Sequence, residues 1–336
     1  MVILPTIIYQ NKYMGIKFLN RFLIEKCKRS SIGKKTLNVM RDKTIVVDTS
    51  IYMYKYTAQG SLLENFYLMI STFRKYNITP LFVFDGKPPV EKRELIKERQ
   101  LLKTQAEGKY KELVEEIAKA DNSEQQKELA IEMECLKKQF VRIREKDITS
   151  VKTLLTAYGV MYYEASGEAD RVCAHLVING KAWACLSDDM DMFVYGCPRV
   201  LRHMSLLNNT VLLYKLENIL NDLNMDMDMF RQIGVLSGTD YNIHQNTSLN
   251  ETMRWYNEFV RKEGTEHNNI LTFYHWLRQN TKYIANMQQL MHTHKMFCFE
   301  KPTFCELDDL KITMNNEFDM ERVKEITQQE GFVFLD

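Results

Sequence analysis

Short apolar runs that end in an acidic residue constrain the fold of this chain more than any other feature. Thr44–Asp48 is a β-branched run closed by an aspartate, and Thr79–Asp85 is a second one. Such runs are typical of buried parallel strands, since both faces of a parallel sheet are covered. Each strand then delivers a carboxylate to its C-terminal end, where open α/β sheets bind ligands. The pattern predicts an α/β fold with an acidic site at one sheet edge.

Strand and helix signals alternate along much of the chain, which indicates an α/β architecture with a mostly parallel sheet. The further predicted strands are 160–163 and 182–187, and the predicted helices are 20–28, 61–76, 147–157 and 170–179. Ser248 and Glu251 match a capping box, so a helix should begin there and stop at Gly264. The remainder, to Asp336, carries mostly helical signals.

Residues 91–147 differ from their surroundings because they are densely charged. They contain 14 Lys/Arg, 14 Asp/Glu, no Pro and a single Gly. This composition predicts a long helical hairpin, broken near Asp121–Ser123. Two solvated helices and an insertion that stands off the sheet are both compatible with it.

Composition excludes several classes of protein. No stretch approaches 18 consecutive apolar residues, so no spanning helix and no membrane partner are expected. The seven Cys form no CxxC pair, and a chain of 336 residues can build its own core without disulfides. We therefore expect a reducing intracellular compartment: the nucleus or, for a viral protein, a cytoplasmic replication site or the virion. The apolar residues 1–13 lack a basic n-region and a cleavage site, and are interpreted as an N-terminal extension dispensable for chemistry.

Net charge is +1, but residues 12–43 hold ten Lys/Arg against two acids. This stretch fits a solvated surface and a phosphate-binding patch equally well.

Acidic residues recur at the predicted strand ends and beside them. Any one of them could be a first-turn helix residue or a strand terminator. Together, however, so many carboxylates at one edge would repel each other unless a cation neutralised them. Oxygen ligands suit Mg²⁺ or Mn²⁺, and two such ions about 4 Å apart would serve an in-line phosphoryl displacement. The acids are Asp48, Asp85, Glu168, Asp170, Asp188, Asp189, Asp191 and Asp240.

Six motifs in order resemble the flap endonuclease/XPG (Rad2-type) family of structure-specific 5′ nucleases. They are Met14–Leu19, Val46–Asp48, Val83–Pro89, Gly167–Asp170, Asp188–Asp191 and Leu236–Tyr241. The resemblance implies a PIN-like α/β/α sandwich with a mostly parallel sheet, a helical arch at about 91–147 and a mostly helical C-terminal part. It implies domains at 1–13 (extension), 14–240 (nuclease core) and 241–336 (helix-hairpin duplex-binding region and C-terminal helices). A pared-down member of this kind resembles those of large DNA viruses.

The resemblance also implies a function and a set of site residues. The function is 5′-flap endonuclease and/or 5′–3′ exonuclease activity in DNA replication, repair or recombination, with two Mg²⁺ as cofactors and Mn²⁺ as a substitute. The implied metal ligands are Asp48, Asp85, Glu168, Asp170, Asp189, Asp191 and Asp240. Of these, Asp85, Glu168 and Asp170 would lie nearer one ion, and Asp189, Asp191 and Asp240 nearer the other. Lys92 and Arg99 would contact the scissile phosphate from one helix face. The implied DNA contacts are Gly15, Lys17, Tyr54, Lys87 and Lys103.

Three departures from the family pattern and two rival functions complete the sequence picture. Gly15 is preceded by fourteen residues. The hairpin Tyr241–Ser248 has no Gly and so lacks the usual support for a monovalent ion. No clear sliding-clamp box is present.

We expect a monomer that binds branched, flapped or gapped DNA. A non-cleaving PIN-like scaffold for branched DNA would require substituted acids, and all seven are intact. A haloacid-dehalogenase-like phosphatase would require an Asp where Ser50 stands.

Overall fold

A computed structural model of the chain describes residues 15–119, 123–242, 247–263, 272–299, 304–328 and 331–334. The predicted N-terminal extension, the break at 121–122, the hairpin residues 243–246 and Gly264 lie outside these ranges. Among the helices of the described ranges, none combines the length and the apolar character needed to cross a membrane.

The described strands form a seven-stranded sheet in the order β1-β7-β6-β5-β2-β3-β4. β2 runs parallel to β3 and β5, and β3 runs parallel to β4. The strands are β1 Ile32–Thr36, β2 Thr44–Asp48, β3 Thr79–Phe84, β4 Met161–Glu164, β5 Ala184–Leu186, β6 Arg199–Ser205 and β7 Thr210–Lys215.

The described residues contain fourteen α-helices. The first six are α1 Leu19–Lys26, α2 Thr49–Gln59, α3 Leu62–Lys75, α4 Arg93–Lys119, α5 Ser123–Lys137 and α6 Glu145–Ala157. The next four are α7 Ala169–Ile178, α8 Asp191–Val194, α9 Leu216–Leu223 and α10 Met227–Leu236. The last four are α11 Leu249–Glu263, α12 Thr272–Asn280, α13 Met287–Met296 and α14 Met320–Gln328.

The chain divides into two compact units. One, here called the sheet unit, comprises the described parts of Lys34–Ser187, Leu201–Leu212 and Phe304–Asp336. The other, here called the helical unit, comprises the described parts of Met1–Gly33, Asp188–Val200 and Leu213–Thr303.

The core of the sheet unit follows from the predicted periodicity. Apolar residues of α3 recur on one face, and Phe66 and Phe73 both pack against Phe82 of β3, with ring centroids 5.9 and 6.5 Å apart. Residues of β2 and β3 are almost fully buried, as expected for parallel strands covered on both faces. The buried strands therefore give the residues at their C-terminal ends a rigid support.

The helices of the charged segment pack against each other. α4 and α5 enclose a small core of Ala106, Leu113 and Leu136, which Tyr110 and Phe140 extend. Lys109 bridges to Glu132 at 2.7 Å across this pair. The predicted helical hairpin is therefore present, and an apolar seam joins its charged helices.

The helical unit has an aromatic core of its own. Phe259 of α11 packs against Phe273 and Trp276 of α12, with ring centroids 5.3 and 5.6 Å apart. Ser248 caps the start of α11, since its Oγ accepts from the backbone N–H of Glu251 at 3.4 Å, whereas the N–H of Ser248 donates to the Tyr283 hydroxyl at 3.2 Å. Asp226 caps α10 by accepting from the N–H of Met229 at 2.7 Å. These contacts fix the ends of α10 and α11.

Candidate active site

Two of the predicted ligands, Asp48 and Asp85, lie at the ends of neighbouring parallel strands. Asp48 closes β2 and pairs in register with Val83, two residues before Asp85. Asp48 is only 4% exposed, and its Oδ2 accepts a hydrogen bond from Ser187 Oγ at 2.9 Å. Burial is the main cause of the raised pKa of the Cys173 thiol, and the charges of Asp48 and Asp85 both raise it further. The two carboxylates therefore act on the same buried region, as the strand pattern predicts.

Glu168 and Asp170 occupy the start of α7, where either could have been an ordinary helix-start residue. Glu168 is the N-cap residue but makes no side-chain capping bond. Its Oε1 lies 2.5 Å from the Nζ of Lys92, in a pair whose side chains are only 13% and 10% exposed. The structure thus joins a predicted metal ligand to a predicted catalytic cation.

The loop after β3 is fixed against the start of α7. Asp85 Oδ1 accepts from the N–H of Ala169 at 2.8 Å, and the N–H of Gly86 donates to Gly167 O at 2.7 Å. A Cβ on Gly86 would collide with the backbone of Ala165 and Ser166. Only glycine therefore permits this approach, which keeps Asp85 beside Glu168 and Asp170.

Lys92 departs slightly from the predicted geometry. It ends a 3₁₀ turn, Val90–Lys92, and α4 begins one residue later at Arg93. Arg99 is on α4, so the two cations do not share one regular helix. The turn follows Pro88–Pro89, which cannot donate backbone hydrogen bonds to a helix.

Three of the predicted substrate contacts lie close together on the sheet unit. The Nζ of Lys103 lies 4.6 Å from the centre of the Tyr54 ring, which is 44% exposed. Burial raises the pKa of Tyr54, the charge of Asp85 adds to this, and the charge of Arg99 opposes it. The charged groups of Arg99, Lys103 and Asp85 therefore all lie near the exposed Tyr54 ring. Lys87 is exposed on the loop after β3.

In the helical unit, Gly15 lies directly against two predicted ligands. Its φ of +71° is unfavourable for residues with a side chain. A Cβ at this position would lie 2.6 Å from Asp189 Oδ1 and would also collide with Asp191 Oδ1. Asp189 and Asp191 are 4% and 2% exposed, and Asp189 Oδ1 accepts from the N–H of Asp191 at 2.8 Å. Lys17 is exposed two residues after Gly15.

Asp240, also in the helical unit, is held by a turn that Asn242 closes. Asn242 Oδ1 accepts from both the N–H and the hydroxyl of Thr239 at 2.7 Å, and its Nδ2 donates to Val235 O at 2.7 Å. Asp240 is 6% exposed in this turn. Side-chain bonds to the backbone thus fix the carboxylate after the end of α10.

Two residues that position predicted ligands are not indicated by any sequence motif. Ser187 orients Asp48, and Asn242 shapes the turn that carries Asp240. Both are small polar residues within one or two positions of a predicted acid, which is the only signal the sequence offers. Polar residues of this kind are common in loops, so proximity alone does not identify them.

The donor chemistry of these carboxylates fits a divalent ion such as Mg²⁺. All donors are oxygens, most are nearly buried, and the position of a Cβ on Gly15 falls at the Asp189 and Asp191 carboxylates. Within the part of the chain that is described, no group of three or more His, Cys, Asp or Glu side chains is already arranged to hold a metal ion. The assignment of the seven ligands therefore stays a prediction.

Comparisons with known proteins agree with the fold and the motifs. Two family models match, the XPG N-terminal domain over residues 14–106 and the XPG I-region over residues 159–240. Flap endonuclease 1 of Methanococcus aeolicus is 31% identical over 249 residues, covering 68% of this chain and 70% of the relative. Flap endonuclease 1-B of Oryza sativa is 30% identical over 253 residues, and the chain spans only 57% of that relative's length.

Solved structures share the fold along almost the whole chain. The catalytic core of Rad2 in complex with DNA substrate superposes with a TM-score of 0.62 at 22% identity, covering 95% of each chain. Flap endonuclease-1 from Methanococcus jannaschii gives a TM-score of 0.59 at 22% identity, covering 94% of this chain and 93% of that one.

A mostly parallel sheet with carboxylates at its strand ends defines the class, which is that of proteins with a PIN-like fold. Within that class, the chain belongs to the flap endonuclease/XPG family of structure-specific 5′ nucleases.

Proposed function

We propose that the chain is an Mg²⁺-dependent 5′-flap endonuclease that hydrolyses phosphodiester bonds in flapped or gapped DNA. The observation that carries the proposal is the approach of Gly15 to the buried carboxylates of Asp189 and Asp191, where no side chain can intervene. Flap endonucleases match this chain along two thirds of its length, and this similarity supports a 5′ flap, rather than a four-way junction, as its substrate. Human GEN1 bound to Holliday junction DNA shares the fold at 18% identity.

The carboxylates form two sets, and each set lies within one unit. Asp85, Glu168 and Asp170 of the sheet unit would hold one ion, with Asp48 beside them, and Asp189, Asp191 and Asp240 of the helical unit would hold the other. Bound divalent ions activate water and stabilise the leaving oxygen of a phosphoryl displacement. Mn²⁺, with the same preference for oxygen ligands, is the expected substitute.

The chain's own cations act on the phosphate. Lys92 is nearly buried beside Glu168, so its ammonium group is fixed before substrate arrives. Arg99 lies near the exposed Tyr54 ring and presents a planar, permanently charged group. Both would offset the negative charge that develops on the phosphate in the transition state. Tyr54 and Lys103 would hold the adjoining nucleotide, the ring by stacking on a base and the ammonium group by binding phosphate.

The test combines a substrate panel with Asp189→Ala. Labelled 5′-flap, gapped, bubble and Holliday substrates are incubated with Mg²⁺, and we expect the 5′ flap to be cut fastest. Asp189→Ala should abolish cleavage but leave flap binding within about threefold, because the carboxylate holds metal rather than DNA. Full activity of this variant, or equal activity of the unaltered chain in EDTA, would contradict the metal-dependent mechanism.

A further inference from the structure

Two buried tyrosines of the helical unit lie next to predicted metal ligands in the sequence. Tyr195 follows α8, four residues after Asp191, and Tyr241 directly follows Asp240. The two tyrosines are 1% and 6% exposed. Their hydroxyl oxygens are 2.8 Å apart, which is a hydrogen bond between side chains 46 positions apart in the chain. The bond therefore joins the two segments of the helical unit that carry one proposed ligand set.

The first of these segments depends on its neighbours for its geometry. α8 has only four residues, Asp191–Val194. A single helical turn is unstable in isolation, so its direction is set by contacts with other elements. The N–H of Tyr195 donates to Asp191 O at 3.1 Å, which closes this turn. The position of the Tyr195 side chain is therefore coupled to that of Asp191 through one turn of hydrogen-bonded backbone.

The short helix α8 packs against α10, the helix that leads to Asp240. Arg231 of α10 donates from its Nε to Val194 O at 3.1 Å. A Cβ on Gly234 would lie 2.8 Å from Val194 Cγ2, so α10 approaches α8 about as closely as glycine allows. These contacts hold α8 beside α10 itself. The hydroxyl bond extends the connection to the turn beyond α10, which carries Asp240.

The ring of Phe297 fixes both tyrosines. Phe297 ends α13, is fully buried, and packs against Tyr195 and Tyr241 with ring centroids 4.7 and 5.3 Å apart. Neither phenol can therefore change its rotamer without displacing a close-packed ring. A tyrosine hydroxyl is both donor and acceptor, so the pair forms its bond without any charged group. The link adds no charge that would compete with the carboxylates for a cation.

We propose that the Tyr195–Tyr241 hydroxyl bond positions Asp191 and Asp240 at the separation at which both can bind one divalent ion. The inference rests on the proposed function, in which these two carboxylates share an ion. The tyrosines are positioning residues and are assigned no contact with the ion or with DNA. Carboxylates repel each other before an ion binds, so a link between their supports preserves the binding geometry in the ion-free state.

The test removes each hydroxyl and keeps each ring, with Tyr195→Phe, Tyr241→Phe and the double variant in the full chain. Binding of Mn²⁺ is followed by electron paramagnetic resonance in the absence of DNA. We expect the affinity for one ion to fall about tenfold in each single variant, at the lower end of the range for groups that orient metal ligands. The double variant should bind no more weakly than either single variant, because all three lack the same bond.

Cleavage gives a second measurement of the same effect. The Mg²⁺ concentration that gives half the maximal single-turnover rate on a flap substrate should rise about tenfold in each variant. At saturating Mg²⁺ the rate should return to within about twofold of the unaltered chain, because the bound ion then holds both carboxylates in place.

Tyr274→Phe is the matched control, since it removes another buried tyrosine hydroxyl from the same unit. The Tyr274 hydroxyl donates to Gln232 O at 3.3 Å and lies 3.1 Å from His294 Nδ1. Loss of a buried hydrogen bond costs about 1 kcal/mol, so the Tm in EDTA should fall in this variant as in Tyr195→Phe and Tyr241→Phe. The Mn²⁺ affinity of Tyr274→Phe should be unchanged, which separates positioning from folding.

Contrary results have distinct meanings. An unaltered Mn²⁺ affinity in Tyr195→Phe and Tyr241→Phe, with a lowered Tm, overturns the proposal and leaves the pair a purely structural role. Losses of affinity that add in the double variant also overturn it, because the hydroxyls would then act separately. An equal loss in Tyr274→Phe overturns it as well, since any destabilisation of the unit would then suffice. Failure of the unaltered chain to bind Mn²⁺ or to cut flap DNA contradicts the proposed function itself, whatever the tyrosine variants do.

Discussion

The backbone of Gly15 lies where no side chain fits, and this makes it the sharpest single test of the site. Gly15→Ala adds a Cβ that collides with the Asp189 and Asp191 carboxylates and imposes a strained φ of +71°. We expect cleavage to fall by about 100-fold or more, since small displacements of reacting groups have effects of this size. The measurement is single-turnover cleavage of a flap substrate.

Gly60→Ala is the matched control for this substitution. Gly60 has a φ of +76°, but an added Cβ would meet nothing within 4 Å. It should therefore lower stability by about 1 kcal/mol through backbone strain alone and leave cleavage unaltered. An equal loss of cleavage in both variants would show that strain, and not the collision with the carboxylates, is responsible.

Arg99 tests whether the basic residues act in catalysis or only in binding. Arg99→Ala should lower single-turnover cleavage by about 10²- to 10³-fold, the usual loss when one preorganised transition-state contact is removed. Lys97→Ala, two residues earlier on the same helix and exposed, should remain within about twofold. If Arg99→Ala weakens only DNA affinity, Arg99 is a tether and not a catalytic residue.

At the scale of the secondary-structure elements, the helix pair α12–α13 has a pH dependence that can be measured. His294 is buried against Tyr274, and burial followed by the charge of Arg231 lowers its pKa to about 4, while Asp228 opposes the shift. Between pH 6.5 and 4 the unfolded chain therefore binds more protons than the folded chain at this site. The free energy of unfolding should fall in this window by up to about 1.4 kcal/mol per pH unit.

His294→Gln isolates this effect because it removes the titration and retains a polar partner for Tyr274. Urea unfolding at pH 7.5 and pH 5.0 should show a smaller loss of stability in His294→Gln than in the unaltered chain. His275→Gln, an exposed histidine on α12, should behave like the unaltered chain. If the loss of stability on acidification is the same in all three, His294 is not the responsible group.

The elements that the sequence predicts well are those with a strong period or a clear boundary. β2 is predicted at Thr44–Asp48 and observed there, and α3 differs from the predicted 61–76 by one residue at each end. β1, β6 and β7 were not predicted. Ile32–Thr36 is mostly exposed and contains two lysines, and Arg199–Ser205 contains Arg202 and His203. Pairing with neighbouring strands, rather than local pattern, makes these segments strands.

The site shows the same division between local and tertiary information. Asp48 and Asp85 could be placed at a common sheet edge because parallel strands bring their C-terminal ends together. The Lys92–Glu168 pair could not be derived from spacing, since it joins residues far apart in the sequence through the Gly86–Gly167 contact. The family resemblance named both residues, but only the structure shows that they meet.

At the scale of the whole molecule, the net charge of +1 cannot explain binding to a polyanion. The acids of the proposed site would repel both DNA and each other, so affinity must come from local cations such as Arg99 and Lys103 near the Tyr54 ring. Divalent ions would reverse the sign of the field at the carboxylates. We therefore expect the stability of the protein, as well as its activity, to depend on Mg²⁺.

This dependence can be measured without DNA. A ligand that binds only the folded state at ten times its Kd adds about 1.4 kcal/mol of stability, which is a rise of about 2 °C in the Tm of a chain of this size. Asp170→Asn in the sheet unit and Asp189→Asn in the helical unit should each reduce the rise, because each removes one charge from a different ligand set. In Asp189→Asn the amide oxygen can still accept from the N–H of Asp191, so the local fold is preserved.

The direction in which each substitution changes the Tm in the absence of metal gives a second, independent check. Neutralising one member of a crowded acidic set relieves repulsion, so both variants should melt at or above the Tm of the unaltered chain in EDTA. Asp309→Asn, an exposed acid elsewhere in the sheet unit, should alter neither the Tm in EDTA nor the response to Mg²⁺. An Mg²⁺ response that survives both Asp170→Asn and Asp189→Asn at full size would show that the ion binds elsewhere, and would remove these carboxylates from the metal site.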